Sequence, residues 1–152
     1  CISIGNPAYS TGLNHIAIGK NAQITAGTSD IAIGTIAQSS GTFSIAIGEG
    51  AQAIGNSIIS IGSGASSFAA FATVIGAGSS AAGASDIAIG QGVFASGLNA
   101  IAIGSKSSSS GNDTIAIGNL SSASIEASIA VGKTAQAAGD SSIAIGKAVV
   151  AN

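Results

Sequence analysis

A chain of 152 residues with 46% apolar and only 7% charged residues carries too much apolar surface for intrinsic disorder, and its stability must come from burial. Its formal charge of −2, with four Lys, no Arg and six thinly spread acids, leaves no basic stripe and so argues against nucleic acid as a partner. No apolar run approaches the roughly 18 residues of a membrane span, so no direct membrane insertion is expected of this segment, and a single Cys allows no internal disulfide.

One phrase, Ile-Ala-Ile-Gly, seen clean at 16–19, returns along the whole chain. Its closing Gly is Gly5, Gly19, Gly34, Gly48, Gly62, Gly76, Gly90, Gly104, Gly118, Gly132 and Gly146, and all ten intervals are 14 residues except the 15 between Gly19 and Gly34. A period this short and regular means that each repeat is one supersecondary unit stacked on the next.

With the closing Gly as position zero, position −3 is Ile in every copy but one (Thr73) and position −1 is Ile in every copy but one (Val131). β-branched residues two apart share one face of a strand, so the phrase predicts a short strand. Position −2, Ala in eight copies, is never charged, which predicts that both strand faces are covered. The expected arrangement puts the Ile inside, opposed by small residues in a tight roll, and leaves the Ala column as a flat outer stripe on which copies of the chain associate about a common axis. Ala102 then sits on that axis, and Gln136 on the outward face.

A second alternating segment follows each Gly, with small residues at +3 and +5, as in Ala51 and Ala53 or Ala135 and Ala137, predicted to face in. A second Gly recurs at +7, and turn formers such as Asn14, Ser85, Asn99 and Asp113 follow two residues later, so the two Gly predict two corners per coil. Departures are local. The extra residue lies within 21–26 and reads as a bulge or a widened corner; the coil after Gly62 has Ala69 in place of its second Gly and carries Phe68 and Phe71; the coil after Gly118 has Ile125 in that place.

Chemistry-bearing residues are sparse. His15, the only His, reads as a satisfied or solvated turn residue, having no second metal ligand at useful spacing. Asp30 and Asp86 share a slot that Asp113 and Asp140 do not, so no carboxylate ladder is expected, and no base and orienting group accompany the many Ser. Neither a cofactor, a metal nor an enzyme activity is predicted. The aromatic residues Tyr9, Phe43, Phe68, Phe71 and Phe94 all fall in outward or turn slots, where they either anchor a ligand or seal a seam between chains; Phe68, Phe71 and Phe94 are the ligand-contact candidates.

The run Ser-Ile-Ala-Ile-Gly with a second Gly seven residues on, as in 44–55, resembles the head repeat of the YadA-like trimeric autotransporter adhesins, and the likeness spans residues 1–152. The resemblance implies an all-β, left-handed parallel β-roll of 14-residue coils, with three identical chains side by side. It also implies one head segment of a longer fibre, with neck, stalk and membrane anchor lying elsewhere and Cys1 a fragment boundary. The implied role is that of a homotrimer on the Gram-negative outer membrane, exposed at the cell surface, attaching to a host extracellular-matrix protein such as collagen or to a cell-surface ligand. The alternatives are a non-binding spacer of the fibre or an ice-binding solenoid; the scattered Thr offer no regular ladder for the latter.

Overall fold

The computed structural model describes residues 1–152 as two parallel β-sheets of eleven strands each. The first sheet holds the repeated phrase, from Ile2–Ile4 to Ile143–Ile145, and the second holds the segments after each Gly, from Tyr9–Ser10 to Val150–Ala151. The chain alternates between them, so every strand pairs with its counterpart one coil away. Ile87, Ala88 and Ile89 lie beside Ile101, Ala102 and Ile103, and Ser66 and Ser67 beside Ser80 and Ala81. Like therefore stacks on like along the whole rod. The extra residue of the second coil is absorbed in the strand Gln23–Thr28, whose pairing with Gln38–Thr42 slips between Ile24 and Gly27, as a bulge does.

The two faces of the first sheet are the reverse of those expected. Ala17, Ala32, Ala46, Ala88, Ala102, Ala116, Ala130 and Ala144 are wholly buried inside the roll, while the Ile at −3 and −1 point outward, half-buried in the middle coils and up to 68% exposed at Ile145. Ala102 thus lies in the core and on no axis between chains. The physical reason is the width of the coil. Sheets separated by large side chains stand ~10 Å apart, whereas each corner here is only three residues, in most cases a Gly and two others of which one is left-handed, which closes only a narrow gap. Small residues from both sheets fill that gap: the inward slots at +3 and +5 are buried as expected, for example Ala51, Ala53, Ala65, Ser67, Ala135 and Ala137. The interior is small against small, with Ile24, Ile58, Val74 and Val93 as its largest aliphatic members.

The corners also differ in detail from the expectation. The closing Gly behaves as expected, with φ between 122° and 144° in every copy; further left-handed residues stand at +2, such as Asn21, Ile36, Gly50 and Lys106, and at +9, such as Asn14, Phe43, Ser85 and Asp113, with φ between 54° and 65°. The Gly at +7 is needed in most coils for another reason. A Cβ on Gly97 would stand 1.9 Å from the carbonyl oxygen of Gly111, so only a hydrogen lets one coil settle on the next.

Polar side chains inside the roll bind their own corners. Thr114 Oγ1 donates to the Gly111 carbonyl at 2.7 Å, Ser121 Oγ to Gly118 at 2.9 Å and Ser128 Oγ to Ile125 at 2.6 Å. A buried hydroxyl with such a partner costs little, which is why Ser alternates with Ala in the interior.

Candidate functional surface

Three surfaces run the length of the rod. The first is the outer face of the first sheet, a double column of Ile broken only by Thr73 and Val131, without a charge in eleven coils. At about 4.8 Å per coil it is about 50 Å long, and the two columns make it roughly 10 Å wide. That gives on the order of 500 Å² of continuous apolar surface, at the upper end of what a lone soluble chain exposes.

The second surface is the edge made by the corner after each closing Gly. All four Lys stand on it, Lys20, Lys133 and Lys147 at +1 and Lys106 at +2, all exposed, together with one exposed acid, Glu49 at +1. Ile36 and Leu120 project from it, each 47% exposed. The third surface is the opposite edge, made by the corner before the next phrase. It holds the exposed acids Asp113, Glu126 and Asp140 and the exposed apolar residues Leu13, Phe43, Phe71, Leu98 and Ile125. One edge is thus basic and the other acidic through the last four coils, a segregation that a count of scattered charges conceals.

The predicted contact residues do not form one patch. Phe94, 45% exposed, stands on the outer face of the second sheet; Phe68, 57% exposed, closes the strand Ser66–Ser67 two coils earlier; Phe71, 65% exposed, sits on the acidic edge in a left-handed conformation. Phe68 and Phe71 share a coil, and Phe94 is apart from both. The surface has no pocket.

His15 departs from the reading as a satisfied or solvated turn residue. Its ring is 1% exposed, Nε2 lies 3.2 Å from the Gly27 carbonyl oxygen, and Nδ1 has no partner. Asp30 and Asp86 occupy the same inward slot with different success. Asp86 accepts from the backbone N–H groups of Ala100 and Gly83, both at 2.8 Å. Burial nevertheless raises its carboxyl above the ordinary value, and those two bonds offset part of the rise. Asp30 accepts from Ser44 N–H at 2.8 Å, but its other oxygen is orphaned, because the bulge before it turns Gly27 to φ 97° and spoils the bond that Gly83 makes in the later coil. No cluster of three or more His, Cys, Asp and Glu is assembled.

A search of curated proteins finds no match to the chain. The family model described as the YadA head domain repeat matches residues 26–51, 95–121 and 126–147. These ranges take in coils of the regular pattern, with the buried Ala, the outward Ile pair and the glycine corners. The chain accordingly belongs to the YadA-like head domains of trimeric autotransporter adhesins.

Proposed function

We propose that this segment is the head of a surface-displayed bacterial adhesin, a parallel homotrimer whose isoleucine faces meet at a common axis and whose outer surfaces attach to host matrix or cells. The observation that carries the reading is the uncharged, almost wholly aliphatic outer face of the first sheet, which a chain with 7% charged residues has little means of keeping in water. Three copies turned inward bury it, and cyclic closure about an axis parallel to the rod covers it in every coil at once.

Binding then falls to the second sheet's outer face and the edges. A pocketless surface presented three times around the axis, on many fibres of one cell, suits weak contacts multiplied by number. An extended matrix protein of the collagen kind, or a cell-surface ligand, fits such a surface, with Phe68, Phe71 and Phe94 as separate points of contact.

Sedimentation equilibrium tests the assembly. The segment should run as a trimer, and Ile103→Glu, which puts three carboxylates around the axis, should give folded monomers; a stable wild-type monomer at micromolar concentration contradicts the reading. Gln136→Glu, on the outward face of the second sheet, should leave the trimer unchanged. Adhesion of coated beads to matrix proteins, before and after changing the three Phe to Ser, tests the contact. Absence of adhesion across a broad panel would leave the segment a spacer.

A further inference from the structure

We infer that the basic and acidic edges are the two halves of one interface, closing the ring in a single register. The inference rests on the trimer proposed above and goes beyond it by assigning the contacts between neighbours. In a ring of parallel protomers that all turn the same sheet inward, the edge after the phrase of one chain meets the edge before the phrase of the next. The partner of each edge is therefore a second copy of this chain, and through the last four coils the charges fit that partner: Lys106, Lys133 and Lys147 on one side, Asp113, Glu126 and Asp140 on the other, with Lys20 and Glu49 of the first edge lying outside those coils.

Rotation without translation also fixes the heights. The acidic corner of any coil stands half a coil, about 2.4 Å, beyond the basic corner of the same coil. In the closed ring Lys106 then lies half a coil from the neighbour's Asp113, Lys133 lies midway between Glu126 and Asp140, and Lys147 lies half a coil from Asp140. Sliding one chain by one coil in either direction leaves Lys106 or Lys147 without an acid. The apolar residues agree with this register: Ile36 meets Phe43 and Leu120 meets Ile125, all four exposed in the single chain.

Paired cysteines test the register in a Cys1→Ser background. Lys133→Cys with Asp140→Cys puts thiols on opposite edges of one chain, separated by a strand of about 13 Å, beyond the ~7 Å Cα limit of a disulfide. They can join only between neighbours, so mild oxidation should yield a covalent trimer on a denaturing non-reducing gel. Lys133→Cys with Asn99→Cys, offset by two and a half coils or about 12 Å, should remain monomeric on that gel. A trimer in sedimentation that is cross-linked by neither pair, or by the second, overturns the register and leaves the assembly standing. No trimer in sedimentation overturns both.

Discussion

At the scale of the residue, the interior decides which changes are felt. Ser60 occupies a slot filled by Ala in eight other coils, and its buried hydroxyl has no partner. Replacing it by Ala removes an unsatisfied group without leaving a cavity larger than one oxygen. Ser60→Ala should stabilise the fold by about 1 kcal/mol, read as a rise of a few degrees in Tm. Ala102→Glu is its opposite: a carboxylate forced into a space shaped for a methyl group, expected to unfold the surrounding coils, whereas Ile103→Glu next to it leaves a single chain folded. Asp86 gives a dependence on pH. Its folded pKa is raised above the ordinary 3.8 by burial, so the folded state holds the proton more tightly than the unfolded one. The destabilisation is fully present at neutral pH and disappears as the pH falls through the folded pKa toward 3.8. Ser takes the same slot at Ser44 and Ser128, so Asp86→Ser is a fitting reference. On acidification from pH 7 to about 4, the Tm of the wild type should rise relative to that of Asp86→Ser.

At the scale of the element, two glycines of similar appearance do different work. Gly97 is pressed against the Gly111 carbonyl, while Gly64, at φ 65°, faces open space. Gly97→Ala should therefore separate two coils and cost several kcal/mol, against about 1 kcal/mol for the left-handed strain of Gly64→Ala. Equal losses of Tm would show that steric approach is not what selects glycine at +7. The strands themselves were legible, since a β-branched pair around a small residue, closed by Gly and repeated at fixed spacing, leaves little else to build. The faces were not legible by polarity, because Ile and Ala are both apolar and neither column is marked by charge. The usable signal was size: position −2 holds nothing larger than Val74, as a closed interior requires, while Thr73 is accepted among the Ile. The run Gly50, Gly64, Gly78 and Gly92 at +2 likewise marks a left-handed corner that the more conspicuous second Gly obscured. The residues proposed for ligand contact lie outside the repeat consensus, and only their exposure could be read from their slots.

At the scale of the whole molecule, the rod is a sum of nearly identical units, each held by its two neighbours. Removing residues 91–104, one full coil, joins Gly90 to Ser105 in phase and should leave a folded, assembled rod about 5 Å shorter. Removing only residues 91–97 brings a strand of one sheet against the other and should abolish the fold; circular dichroism and sedimentation distinguish the two. The regular spacing along the chain is thus a requirement on phase rather than on length.

The direction of the hydrogen bonds has a mechanical consequence. Strands lie across the rod and their ladder bonds run along it, so a pull on the tip loads the bonds between two coils end-on and together, as rungs under tension. A pull on one chain terminus instead peels a single coil, breaking its bonds in succession at much lower force. A tether that grips several coils at once distributes its load in the first way. The same rod is then tough against a broad hold and weak against a point hold, and the breadth of the grip sets how much force an attachment bears before it fails.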